Sequence, residues 1–108
     1  MRGMICYENS VCPTRPDIVS TGRPVVIVSA DTRRSVAQVI PVTSNQTKTG
    51  DGDPMHIPIT VKGNRSTALC EQLRTVRTAE LRRTAIGYCT VEELSAIDRA
   101  IKVLLGLQ

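Results

Sequence analysis

An arginine and a proline stand directly before an aliphatic run in the segment TGRPVVIVSAD, residues 21–31. Four of the five residues from Val25 to Ser29 are aliphatic, which is typical of a strand buried on both faces. Pro24 has no amide hydrogen, so we expect it at the first position of that strand. Arg23 is therefore predicted at the entrance of a buried strand. A guanidinium held there is suited to planar, two-point contact with a phosphate group.

The charge of the chain favours an anionic partner. The 108 residues include 14 lysines and arginines and 10 aspartates and glutamates, and eleven of the basic residues are arginines. An arginine-rich, basic domain is typical of proteins that bind polyanions, although a merely basic surface is an open alternative on charge alone. The only aromatic residues are Tyr7 and Tyr88. We therefore do not expect a fold that stacks bases on an aromatic platform.

Cysteine and histidine spacing predicts no metal site and no cofactor. Cys6, Cys12, Cys70 and Cys89 form no C-x-x-C pair, and the single His56 lies far from them in sequence. Cysteines in apolar stretches are interpreted as small core residues. The chain has no apolar run near the roughly 20 residues that span a bilayer, and no signal peptide is visible. We expect a cytoplasmic protein without a membrane partner.

Hydrophobic periodicity predicts one mainly β domain over residues 1–108 with a C-terminal helix. Thr90 and Glu93 fit a capping box, and apolar residues recur behind them at helical spacing, so a helix is predicted from about 91 to 105. Residues 8–22 and 46–54 are predicted loops. Five to seven short strands and one closing helix predict a small, strongly bent sheet or barrel. The predicted strands include 4–7, 25–29, 37–45, 56–61, 66–77 and 85–90.

Several segments together resemble the PemK/MazF family, the toxins of type II toxin–antitoxin systems. They include RGMICY, GRPVVIVSAD, VIPVTSN, HIPI, STALCEQLRTV and IGYCTVEELSAIDRAIKVLLGL. The resemblance implies a small SH3-like barrel that forms a homodimer. It also implies a sequence-specific, metal-independent endoribonuclease, which cleaves single-stranded RNA, chiefly messenger RNA, and leaves 2′,3′-cyclic phosphate ends. The implied protein partner is an antitoxin with a disordered acidic segment.

The resemblance assigns the catalytic pair to Arg23 and Thr43. Cleavage of RNA by its own 2′-hydroxyl passes through a phosphorane with extra negative charge, which a fixed guanidinium would stabilise. The hydroxyl of Thr43 would donate a hydrogen bond to a phosphate oxygen. The alternative for Arg23 is a structural role at the end of the barrel.

One departure from the family concerns its acidic residue. The family carries a glutamate shortly before the arginine, and Ile18 occupies that place here, next to Asp17. Three interpretations stay open: Asp17 takes the role of the acid, another base such as Glu71 does so, or the enzyme is partly degenerate.

The RNA-binding residues are expected in the loop after Thr43 and in the EQLRT motif. Ser44, Asn45 and Lys48 are predicted to read bases, because loops vary while the scaffold holds the chemistry. Arg74 is predicted to face the groove, and an ion pair with Glu71 is the equally weighted alternative.

Two rival functions use the same fold. A CcdB-like toxin binds DNA gyrase without hydrolysis, and a degenerate barrel would only bind RNA. The Arg-Pro pair followed by a later Val-Thr-Ser favours the nuclease.

Overall fold

The computed structural model describes residues 2–12, 15–30, 35–44, 52–82 and 84–107. This part of the chain is mainly β and has one C-terminal helix, which confirms the predicted class. The elements are β1 (Met4–Cys12), β2 (Arg15–Ile27), β3 (Val36–Thr43), β4 (His56–Val61), β5 (Asn64–Leu69), β6 (Arg74–Arg77), β7 (Gly87–Tyr88) and α1 (Val91–Leu104).

The strands form one antiparallel sheet in the order β4-β5-β3-β2-β1-β7, and β6 adds to β3. Strand β3 pairs with three other strands of the sheet. It pairs with β6 along residues 36–39, with β2 along 39–41 and with β5 along 42–43. On one edge of β3 the partner changes from β6 to β5 near residue 41, while β2 pairs with the other edge. The sheet forms a nearly closed barrel, as predicted.

The aliphatic run of β2 is buried on both faces, which confirms the first sequence prediction. Val25 and Ile27 pack into one core cluster, while Val26 and Val28 pack into the other. The most exposed of the four is Val28, at 8%. Since burial of such a side chain stabilises a fold by about 1.5–3 kcal/mol, this short run fixes β2 firmly between the two clusters.

The capping box at the start of α1 is confirmed. The side chain of Thr90 accepts a hydrogen bond from the Glu93 amide at 3.1 Å, and the Glu93 carboxylate accepts one from the Thr90 amide at 2.8 Å. The other Glu93 oxygen accepts from the amide of Thr60 at 2.9 Å, which ties the helix to β4. Ile97 and Ala100 bury the inner face of α1.

The prediction of a loop over residues 8–22 was wrong. Strand β1 continues to Cys12 and β2 begins at Arg15, and the two strands form a long hairpin. The apolar residues of the sequence do not indicate this hairpin arm, residues 8–22, because the pairing of its strands is made by backbone hydrogen bonds.

Two other predicted strands are shorter in the structure. The predicted strand 66–77 is interrupted by a 3-10 turn at Cys70–Gln72, so that β5 and β6 lie one after the other along β3. The last strand covers only Gly87–Tyr88. Between β4 and β5, Lys62 and Gly63 both have positive φ, which is typical of a two-residue type I′ turn.

Candidate active site at the bulge of β2

The pairing of β1 with β2 slips by one residue directly before Pro24. Tyr7 pairs with Pro24, but the next pair is Asn9 with Thr21. Two residues of β2, numbers 22 and 23, therefore face a single residue of β1. This arrangement is a β-bulge, which bends a strand and redirects a side chain, and a proline without an amide hydrogen is tolerated there.

Arg23 is the second residue of this bulge and is exposed, whereas Val25, two positions later, is fully buried. The sequence analysis placed Pro24 at the first position of the strand, and that prediction was wrong because β2 already begins at Arg15. Arg23 instead lies within β2, just before the residues of this strand that are buried in the core.

Thr43 is the last residue of β3, the strand that pairs with β2. The last pair between β2 and β3 is Val25 with Pro41, so Arg23 and Thr43 each lie two residues beyond the end of this pairing. On its other side Thr43 pairs with Thr67 of β5. Thr43 thus lies at the end of β3, on the edge that pairs with β5.

A cavity of about 240 Å³ opens at this junction. It brings together three residues that the sequence analysis assigned to the site, Arg23, Thr43 and Ser44. Val42 and Val61 add apolar surface, and no carboxylate lines the cavity within the described part of the chain. The full lining is Arg23, Pro24, Val42, Thr43, Ser44, Val61 and Ser66.

Ser66 is the lining residue that sequence reasoning missed. It is 5% exposed, and its hydroxyl has no hydrogen-bond partner among the described residues. In the described residues, every side-chain oxygen or nitrogen that is fully enclosed has a hydrogen-bond partner. Because the Ser66 hydroxyl has none, it is not fully enclosed, and the small exposed area of Ser66 includes it. The signal was the alternation behind the Lys62–Gly63 turn, which directs Ser66 to the same side as Ala68.

Arg74 binds a carboxylate outside the cavity lining. One guanidinium nitrogen donates to Glu8 Oε2 at 2.7 Å, and the second donates to the other carboxylate oxygen. The hydrogen bond with Glu8 raises the pKa of Arg74. The alternative partner expected from the sequence, Glu71, was wrong. Whether Arg74 also contacts RNA stays a prediction.

The remaining predicted site residues are placed as follows. Asp17 lies in β2, but its side chain is outside the described part of the structure. Asn45 and Lys48 lie wholly outside the described residues. Glu71, the alternative base, does not line the cavity, and its carboxylate lies 3.1 Å from His56 Nε2. The roles of Asp17, Asn45 and Lys48 stay predictions.

The described cysteines are poor nucleophiles at neutral pH. Cys6 and Cys70 are buried, as expected for core residues, and Cys89 is half-buried. Burial raises the pKa of the Cys70 thiol to about 12 and that of Cys89 to about 11, each with a smaller contribution from a neighbouring glutamate. None of these three cysteines lines the cavity, whose polar side chains in the described residues are Arg23, Thr43, Ser44 and Ser66.

Comparison with known families identifies the class of protein. Residues 2–105 match the family described as PemK-like, MazF-like toxin of type II toxin–antitoxin system. The chain belongs to this family, which confirms the resemblance seen in the sequence. No curated protein sequence matches the chain. No helix in the described residues is long and apolar enough to cross a membrane.

Solved structures of similar fold cover nearly the whole chain. The MazE–MazF structure (Form II) from Deinococcus radiodurans has a TM-score of 0.80 at 18% identity, over 99% of this chain and 96% of that one. An endoribonuclease in complex with its cognate antitoxin, from Mycobacterial species, gives 0.77 at 17% identity, over 100% and 96%. The Mycobacterium tuberculosis toxin MazF-mt6 gives 0.67 at 21% identity, over 95% and 98%. These likenesses show the fold.

Proposed function

We propose that this toxin is a metal-independent endoribonuclease that cleaves single-stranded RNA, chiefly messenger RNA, and so arrests translation. The observation that carries the proposal is that Arg23 and Thr43 line one cavity. The guanidinium comes from a bulge, and the hydroxyl comes from the end of the neighbouring strand. Both groups are held by a backbone that is anchored in the core.

The reaction proposed for this pair is an internal transfer of the phosphate. The 2′-oxygen of the ribose attacks phosphorus, and the bond from phosphorus to the 5′-oxygen of the next nucleotide breaks. Asp17 takes the proton of the 2′-hydroxyl, and water supplies the proton to the departing 5′-oxygen. The products are a 2′,3′-cyclic phosphate and a 5′-hydroxyl. No metal ion is needed to balance this step.

Each member of the pair acts on the charge that grows in the transition state. The phosphorane carries one more negative charge than the phosphodiester, and a positioned cation stabilises the added charge without reorganising. Arginine keeps its positive charge at neutral pH and offers a planar pair of donors to two oxygens. Thr43 donates a further hydrogen bond to the same phosphate. Ser44, Asn45, Lys48 and Arg74 are the proposed contacts to the rest of the RNA.

The proposed protein partner is an acidic antitoxin. The chain has a net charge of +4, and the cavity presents an arginine without any lining carboxylate in the described residues. Such a surface attracts an acidic segment that folds as it binds. Similar structures include toxins in complex with an antitoxin, which supports this partner.

The proposed assembly is a homodimer. Apolar side chains are exposed at the end of α1, with Val103 at 69%, Leu105 at 55% and Leu107 at 60% exposure. A second copy would cover this surface, and a two-fold dimer gives single-stranded RNA a groove longer than one small barrel provides.

The experiment that tests the nuclease is the mapping of RNA ends. Purified toxin is incubated with a long RNA in the presence of EDTA, and the new 3′ and 5′ ends are identified. We expect cuts within one short sequence, with 2′,3′-cyclic phosphate and 5′-hydroxyl ends. Intact RNA together with inhibition of DNA gyrase would support the CcdB-like alternative instead.

A further inference from the structure

The cavity beside Arg23 and Thr43 contains a polar group that the proposed reaction does not use. Ser66 is buried to 95%, and its hydroxyl faces the cavity without a hydrogen-bond partner among the described residues. The small exposed area of Ser66 includes this hydroxyl, because every enclosed side-chain oxygen or nitrogen in the described residues has a partner. A ligand that enters the cavity can therefore bond to the hydroxyl directly.

The apolar walls of the cavity suit a nucleobase, whereas Arg23 and Thr43 of the same cavity suit a phosphate. Val42 and Val61 provide apolar surface, and Val42 is only 2% exposed. A phosphate against two valines would lose its hydration without a replacement, whereas the flat face of a base packs on aliphatic side chains. The volume of about 240 Å³ lies below the roughly 300–1,000 Å³ of pockets that hold drug-sized ligands. It therefore suits a single base.

The position of Ser66 relates this base to the cut. Thr67, the next residue along β5, pairs with Thr43. Arg23 lines the same cavity, at the end nearer the β2 bulge. A phosphate held between Arg23 and Thr43 thus leaves the adjoining nucleotide within reach of the cavity.

We propose that Ser66 is a specificity-determining residue, whose hydroxyl bonds to the edge of one RNA base next to the cleaved phosphate, while Val42 and Val61 contact the face of that base. This inference rests on the proposed nuclease function and adds the site that reads the sequence. It assigns base reading to the barrel wall, in addition to the loop that the sequence analysis predicted.

The test compares base preference in the wild type and in Ser66→Ala. An RNA library with all four bases at each position around the mapped cut is cleaved under competition, and the cut molecules are sequenced. We expect Ser66→Ala to lose about 3–10-fold of the preference for one base at one adjacent position, which is the usual worth of a hydrogen bond. Preferences at the other positions should persist.

Thr60→Val is the matched control, because Thr60 is an exposed hydroxyl on the neighbouring strand β4. It should leave every preference unchanged. Ser66→Ala should also keep the wild-type melting temperature, since it removes a hydroxyl that has no partner in the described structure. An unchanged preference at all positions in Ser66→Ala would overturn the proposal, and so would an equal loss at all positions.

A binding version of the test separates this inference from the nuclease proposal. A library of short single-stranded oligonucleotides, random at every position and with 2′-deoxy sugars throughout so that none can be cleaved, is incubated with each protein, and bound molecules are sequenced. Loss of selection at one position in Ser66→Ala supports the base site even where the wild type fails to cut RNA. Equal selection by both proteins overturns the base site whatever the cleavage result.

Discussion

Arg74 of β6 holds both carboxylate oxygens of Glu8, and Glu8 is the residue of β1 that faces the bulge carrying Arg23. The Glu8 side chain is only 14% exposed, so its charge depends on this partner more than a surface carboxylate would. One arginine thus neutralises the acid beneath the bulge, while Arg23, the other arginine, is exposed and lines the cavity.

Replacing Arg74 with methionine should therefore reduce stability. The change leaves a mostly buried carboxylate without its cation, and we expect a loss of about 1–2 kcal/mol in the free energy of unfolding, measured by urea denaturation. The double variant Glu8→Gln/Arg74→Met should recover part of the loss.

The matched control for that experiment is Arg77→Met, at an exposed arginine on the same strand, which should change stability by less than about 0.5 kcal/mol. A stable Arg74→Met protein that has merely lost affinity for RNA would instead support the groove-facing role predicted from the sequence.

Buried thiols should make the protein less stable in alkaline solution. The pKa values of Cys70 and Cys89 are raised in the folded state to about 12 and about 11, from an ordinary value of 9.0. Their contribution to stability is complete below pH 9 and is lost as the pH rises through the folded pKa values, because the unfolded chain then ionises first.

Urea denaturation at pH 8, 9 and 10 measures this loss. The double variant Cys70→Ala/Cys89→Ala should have a flatter dependence on pH above 9 than the wild type, although its stability at pH 8 is lower. Equal slopes in both proteins would show that other groups cause the alkaline loss.

The sequence predicted the parts of the fold that depend on local patterns. The aliphatic run from Val25 to Val28, the Thr90–Glu93 capping box and the strand His56–Val61 follow from burial, capping and alternation, and the structure agrees. The hairpin arm was missed because its pairing is made by backbone groups, which leave no side-chain pattern.

The candidate site was only partly visible in the sequence for a similar reason. The family resemblance located Arg23 and Thr43, but nothing in the order of residues shows that β1 and β2 slip by one residue and so create the bulge. Ser66 was missed because two facts single it out, namely that its hydroxyl has no hydrogen-bond partner in the described residues and that it lines the cavity. Both are properties of the packed barrel.

Self-association is expected through the apolar end of α1. Sedimentation at micromolar concentration should give a mass near twice 11.8 kDa for the wild type. Leu105→Glu should shift the equilibrium to the monomer, because Leu105 is 55% exposed and a charge there opposes burial against a second copy.

Asn64→Glu is the control for self-association, since it adds the same charge at an exposed position beside the β4–β5 turn and should leave the dimer intact. A wild type that sediments as a monomer at these concentrations would contradict the shared groove.

Single-turnover cleavage of a mapped RNA in the presence of EDTA decides whether Arg23 and Thr43 together cleave RNA. Arg23→Ala should reduce the rate by about 10²–10³ or more, as loss of a transition-state donor does. Arg23→Lys should recover little of that loss, because an ammonium lacks the planar pair of donors. Thr43→Val should also slow cleavage while the protein remains folded, and Arg77→Ala should cleave at the wild-type rate. A wild-type rate in Arg23→Ala, or an absolute requirement for Mg²⁺, would contradict the mechanism.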